Sequence, residues 1–251
     1  MMKMWYGFYA LHIYLPFSGL FRSWRRLSRR VRGRDGGLLQ QVQLPSASWR
    51  KFTARRFIPV WEHRKSNGNI RASELAAINS IAIGCDDFSN IFEIGTFDGR
   101  TALNLALSSP SNCRIFTLDL PPDMESRFQL AIGEDHMVKK ARSGMRIDRY
   151  RKSHPHVTRK IEQLYGDSAT FDFSDYENSC SLVFVDGSHA YDYVIADSRT
   201  AMRLVKSGGV IIWHDYGIWD GVTKALEEIE AQSQLGLKNI SGTSLVYWKC
   251  K

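Results

Sequence analysis

The sequence predicts an open α/β fold, a mostly parallel sheet with helices on both faces. Short apolar runs rich in Ile, Val and Phe recur at regular spacing after residue 90, as strands buried on both faces do. Helix-like segments lie between several of them, and strand–helix alternation requires right-handed crossovers. Each run also ends on or beside a carboxylate, at the edge where such sheets bind ligands.

Taken in order, residues 1–35 read as a basic amphipathic segment. Leu20, Trp24, Leu27 and Val31 fall on one helical face and arginines occupy the others. Such a helix can lie in a membrane interface, or pack on its own domain or on a second subunit. The apolar stretch before it holds His12 and Pro16 and is borderline in length for a span. Its charges do not precede the apolar run as a secretory signal's would. Residues 33–50, rich in Gly, Ser, Gln and Pro, look like a linker or extended arm, and 36–70 as a whole is assigned to it. From 71 to 251 a single domain is expected. "ASELAAINSIAIG" (72–84) reads as its first helix. The strands are "IFEIG" (91–95), "RIFTLDL" (114–120), "KIEQLYG" (160–166), "SLVFVDG" (181–187) and "GVIIWHD" (209–215). Residues 99–109, 190–208 and 219–232 read as helices, and "TSLVYWKC" (243–250) as a last strand that suits an antiparallel edge.

Charge is unevenly placed. The chain carries +8, with eight Lys/Arg against one Asp in residues 1–35 and nine against one in 137–160. The remainder is therefore acidic, by about −7. This argues against a uniformly basic nucleic-acid binder and suggests anionic partners at two places. Four scattered cysteines without a CxxC fit free thiols in a reducing cytoplasm, with or without membrane association.

The strand ends single out Glu93–Gly95, Asp119, Gly166–Asp167, Asp186 and His214–Asp215. "EIGTFDGRT" (93–101) is a strand, a glycine turn and a helix start. Gly95 permits a sharp turn and Gly99 lets the helix begin tight against the sheet. It is not G-x-G-x-x-G, because Phe97 holds the middle glycine's place; an ordinary tight turn would look similar. Asp119, some 24 residues on, is placed to take both hydroxyls of a ribose. Asp167 and Ser168 are placed for an adenine edge. Glu93 disfavours a pyrophosphate and tolerates a cationic ligand, which separates a dinucleotide from S-adenosylmethionine.

On these motifs, residues 91–216 resemble the Rossmann-like class I S-adenosylmethionine-dependent methyltransferases. "EIGTFDGRT" resembles the first motif of the catechol and caffeoyl-CoA type O-methyltransferases. "FVDGSHAYDYVIAD" with "GGVIIWHDY" resembles a bacterial branch of small-molecule and sugar O-methyltransferases that includes macrocin-type enzymes. The resemblance implies S-adenosylmethionine bound by Glu93, Gly95, Thr96, Phe97, Gly99, Asp119, Asp167, Ser168 and Asp186. It also implies a divalent metal, usually magnesium, at Asp186, His214 and Asp215. The imidazole at 214 departs from the acid or amide common there and would favour Mn²⁺, Fe²⁺ or Zn²⁺.

Methyl transfer to a hydroxyl needs alignment and removal of one proton. His189, three residues beyond Asp186, is the expected base beside that catalytic acid, although Ser188 or His189 could instead cap the next helix. Tyr191 and Tyr193 can simply pack, and Asp192 reads as surface. Trp213, Tyr216 and Trp219 suit either core or an acceptor wall. The acceptor is expected to be a sugar or other small polar molecule. The basic insertion (121–158, with "HMVKKARSGMRIDRYRKSHPHVTRK" at 136–160) could hold an anionic one, or be a solvated helix face. A nicotinamide-dependent oxidoreductase and a non-catalytic membrane- or RNA-docking module are the competing readings. The missing glycine motif and the intact set of strand-end acids weigh against them.

Overall fold

Period-2 burial on both faces decides the architecture. In the strand β2 (Asn90–Ile94), Ile91 packs into one core and Phe92 into the other. The computed structural model describes residues 42–52, 57–63, 70–134 and 142–251, with His12, Ile13 and Phe17. After β1 (Ser46–Ala47) the elements run α1 (Ala72–Ala82), β2, α2 (Arg100–Ser108), β3 (Arg114–Asp119), α3 (Met145–Arg151), α4 (Pro155–Thr158) and β4 (Ile161–Tyr165). They continue β5 (Cys180–Val185), α5 (Tyr191–Leu204), β6 (Val205–Trp213), α6 (Asp220–Ser233), β7 (Lys238–Ile240) and β8 (Val246–Lys249).

The eight strands form one sheet in the order β1-β7-β8-β6-β5-β2-β3-β4. The pairs from β4 through β6 are parallel, and β8 runs antiparallel to β6 and β7. The Rossmann-like α/β expectation holds, antiparallel strand included. Alternation continues across the sheet: Leu182 and Phe184 face one core, Val183 and Val185 the other. The first core is completed by α1 and α2, the second by α5 and α6.

Where the sequence left linker and arm open for residues 36–70, the described part packs as an arm. Its composition hid four core residues, Trp49, Ile58, Val60 and Trp61. The Asn79 amide of α1 donates to Pro59 O (2.7 Å), and Asn104 Oδ1 of α2 accepts from Trp61 N (2.8 Å). β1 then pairs with the short edge strand β7, which covers an otherwise open edge. The expected amphipathic helix over Leu20, Trp24, Leu27 and Val31 lies outside the described residues. Among the described residues no helix is long and apolar enough to cross a membrane.

The arm's burial has a measurable consequence. Trp49 is 4% exposed, so Trp49→Ala should destabilise by roughly 3–5 kcal/mol. A residue of a solvated linker would cost less than about 0.5 kcal/mol. Urea unfolding of the two proteins distinguishes these outcomes.

Candidate active site

A cleft opens where β2, β3, β4, β5 and β6 end, and the turn from β2 to α2 forms its floor. Gly95 has φ +101°, and a Cβ there would sit 2.1 Å from the Asp186 carbonyl oxygen. Glycine is therefore demanded twice, by backbone and by the approach of the β5 end. Gly99, φ +84°, meets Ile147 of α3 in the same way, its Cβ falling 2.7 Å from Cγ1. Between them Phe97 itself takes φ +48°, a left-handed conformation uncommon for a bulky residue. The turn thus keeps the geometry of its missing glycine. Thr96 and Phe97 line the cleft.

Asp119, at the end of β3, faces the cleft and accepts a hydrogen bond from Phe97 N (3.3 Å). Burial pushes its carboxyl up to about 6, against hydrogen bonds from Ser143 and Phe97. Asp167 and Ser168 also line the cleft. The Asp167 carboxylate is already engaged by Arg127 N (2.5 Å), Ala169 N (2.9 Å) and Tyr193 Oη (2.9 Å).

Glu93 requires a correction. It is fully buried beneath the turn, off the cleft wall, and accepts from Thr117 Oγ1 at 2.5 Å. Burial raises its pKa well above the carboxylate range. Off the cleft wall, its carboxyl does not reach a ligand there directly, so its expected cofactor contact is not supported.

At the other end of the cleft four carboxylates and two imidazoles alternate. His189 Nε2 lies 2.8 Å from Asp215 Oδ2, and Nδ1 lies against Glu134 Oε1. His214 Nδ1 lies 2.9 Å from Asp186 Oδ1, and Nε2 lies 3.5 Å from Glu74 Oε2. Asp215, like Phe97, has a left-handed backbone, φ +65°, which turns its carboxylate back toward the cleft.

These pairings revise both histidines. Burial lowers the His189 pKa, but hydrogen bonds and charge from Asp215 and Glu134 outweigh it and raise it to about 9. The two carboxylates thus favour the protonated ring in the metal-free chain, and a metal at Nε2 would take the place of the proton there. His214 is likewise raised well above the ordinary value by Asp186 and Asp215 despite burial. Its ring nitrogens face Asp186 and Glu74, and it is not among the residues whose ligating atoms converge, so the structure does not bring it into the expected ligand set. Burial raises the Asp186 pKa. Asp215 is held well below its usual range, the charge of His214 and the bond from His189 outweighing burial.

A different trio does converge. Ligating atoms of Asp186, His189 and Asp215 lie within 4.8 Å of one another. Donors about 2.1 Å from one ion stand at most about 4.2 Å apart, so a small inward shift suffices. Two carboxylates and one imidazole fit a divalent ion.

Two acids escaped sequence reasoning. Glu74, inside the first helix, is buried and accepts from Ser244 N (2.8 Å) and Ser244 Oγ (2.9 Å). Burial alone would raise it, yet His214, Arg71 and Ser244 hold it at about 2. Glu134 sits in the insertion that drew notice for its cations. Those cations are largely spent on local carboxylates: Arg146 pairs with Glu62 (2.5 Å) and Asp98 (2.6 Å), and Arg142 and Arg151 with Asp148. His136, Lys139 and Lys140 lie outside the described residues. The aromatic candidates divide. Trp213 and Tyr216 are core, whereas Trp219 stacks on His189 at 4.4 Å and 6°. Tyr193 is buried against Asp167, Asp192 is exposed, and Ser188 Oγ accepts from Ala190 N (3.2 Å) at the start of α5.

Residues 92–216 match the family model for a methyltransferase domain. A protein of Acanthamoeba polyphaga mimivirus, described as uncharacterized protein R132, is 28% identical over 156 residues, 60% of this chain. The match spans 63% of that protein's length. Among solved structures, the O-methyltransferase NovP superposes with a TM-score of 0.56 at 16% identity, over 78% of this chain and 85% of its own. The O-methyltransferase TomG of Streptomyces achromogenes, solved with S-adenosylmethionine, gives 0.49 at 17% identity, over 73% and 82%.

The raised Asp119 pKa has a sign that can be checked. Unfolded, it titrates near 3.9, so the folded state binds the extra proton and stability falls as pH rises from about 4 to 6. Asp119→Asn should therefore raise the melting temperature at pH 7.5, with the gain shrinking toward pH 4. A gain that does not vary with pH in thermal melts contradicts this account.

Proposed function

We propose that residues 92–216, which match the family model for a methyltransferase domain, use S-adenosylmethionine as class I enzymes do, and that the chain methylates a hydroxyl of a sugar or other small polar acceptor, assisted by a divalent metal. The observation that carries this reading is the convergence of Asp186, His189 and Asp215 at one end of the cleft. The roles of cofactor-facing residues follow from position. Gly95, Thr96 and Phe97 wrap the methionine side, Asp119 takes the ribose hydroxyls, and Ser168 with Asp167 borders the adenine.

Asp186, His189 and Asp215 would hold the metal, with magnesium or manganese suited to an oxygen-rich set. Bound there, a divalent ion lowers the pKa of an acceptor hydroxyl and fixes its oxygen. With its pKa so lowered, the hydroxyl would lose its proton to solvent through the cleft, and Asp186, which borders the cleft, would orient the acceptor oxygen. The acceptor oxygen then bonds the methyl carbon, the carbon–sulfur bond breaks, and its electron pair stays on a neutral thioether.

Calorimetry with S-adenosylmethionine, S-adenosylhomocysteine and NAD(H) tests the cofactor. The first two should bind and NAD(H) should not; the reverse supports an oxidoreductase, and no binding of any supports a docking module. Asp215→Asn should lower kcat by roughly 10²-fold or more while S-adenosylhomocysteine affinity changes little. EDTA should abolish turnover and Mg²⁺ or Mn²⁺ restore it. Turnover indifferent to EDTA removes the metal from the mechanism.

A further inference from the structure

We infer that Glu134 is a positioning residue for the His189 ring, and that through it the strap over the cofactor cleft completes the metal site; this rests on the metal reading above. The strap, residues 120–134, is irregular in conformation. Leu120, Leu130 and Glu134 line the cleft from it. It is pinned at the adenine end, where Arg127 N donates to Asp167 and Phe128 N donates to Tyr193 Oη (3.4 Å).

Glu134 pins the other end. It is 4% exposed. Its Oε2 accepts from Ala131 N (2.8 Å) within the strap and from Ser188 Oγ (2.7 Å) across the cleft. Its Oε1 accepts from His189 N (2.5 Å) and faces His189 Nδ1. An ionised carboxylate only accepts, so the ring nitrogen against it must carry hydrogen. The opposite nitrogen, Nε2, is the one beside Asp215 at 2.8 Å. Trp219 stacked at 4.4 Å fixes the ring's plane. Edge and face are thus both held, and Nε2 is the atom delivered to Asp186 and Asp215. A carboxylate on the far nitrogen of a metal-binding histidine sets tautomer and ring orientation, and its loss typically costs 10–100-fold in metal affinity. Glu134 touches no reacting atom in this arrangement and acts only through His189.

A bland alternative is that Glu134 merely anchors the strap. Glu134→Gln separates the two, because glutamine can still accept from Ala131 and Ser188 but can present its NH₂ group to the ring. Mn²⁺ binding to the full chain is read by electron paramagnetic resonance, and S-adenosylhomocysteine affinity by calorimetry. The expected result is 10–100-fold weaker Mn²⁺ binding with S-adenosylhomocysteine affinity within twofold of the unmodified protein. Ser188→Ala, which cuts the same strap contact without touching the ring, should leave Mn²⁺ affinity unchanged. Equal Mn²⁺ affinity in Glu134→Gln overturns the inference and leaves the metal reading standing. Equal losses in both variants, or joint loss of cofactor and metal affinity, overturn it in favour of a strap anchor. An unmodified protein that binds no Mn²⁺ removes the metal reading and this inference together. If Glu134→Gln does not fold, ring ¹⁵N spectra of the unmodified chain with Mg²⁺ decide: hydrogen on Nδ1 is expected, and hydrogen on Nε2 overturns the proposal.

Discussion

Four carboxylates can crowd one sheet edge only because two imidazoles stand between them. Glu134, Asp215, Asp186 and Glu74 come from four separate segments, and His189 and His214 each bridge two or more of them. Removing one partner of a buried pair leaves an uncompensated charge, which is strongly destabilising. The alternation therefore constrains much else. α1 must present Glu74, β5 and β6 must end in register, and the strap must come down far enough for Glu134 to meet the ring. Val185 pairs with Trp213 in the β5–β6 register, so Asp186 and His214 leave their strands side by side.

The same edge explains the backbone irregularities. Gly95 passes 2.1 Å, measured to an added Cβ, from the Asp186 carbonyl, which brings the β2–α2 turn against the end of β5. Phe97 and Asp215 both adopt positive φ. Strain of this kind costs on the order of 1–3 kcal/mol per residue and persists where surroundings over-determine it. Here the surroundings are α3, packed under Gly99, and the His189 and His214 contacts to Asp215. The two ends of the cleft are consequently built from the same adjoining strand ends.

Much of this was legible in the sequence, and for identifiable reasons. Parallel strands announce themselves as apolar runs, and their last residues lie at the binding edge by topology; Asp119, Asp167, Asp186 and Asp215 were found that way. What pattern could not supply was direction and pairing. Glu93 and Asp119 sit on neighbouring strands and share a face, yet only Asp119 reaches the cleft, because Glu93 pairs in register with Thr117, two residues before the strand end. His189 and His214 look interchangeable as a base and a ligand until their carboxylate partners are known. Glu74 was hidden in a helix whose residues are nearly all buried. Glu134 was hidden by the cations around it. The arm was hidden by its Gly, Ser and Pro content, although Trp49, Ile58, Val60 and Trp61 were there to be counted as core.

The strap gives these pieces an order. It lines the cleft through Leu120 and Leu130 and meets His189 through Glu134, and the last two are only four residues apart. Any displacement that opens the cleft for cofactor exchange at Leu130 also draws on the Glu134 carboxylate, since Ala131 N and Glu134 are bonded within the same turn. The ring of His189 would then keep Trp219 on its face but lose its edge partner, while Asp215 remained. On this geometry one turn, Ala131 to Glu134, ties the cleft wall at Leu130 to the carboxylate that meets His189.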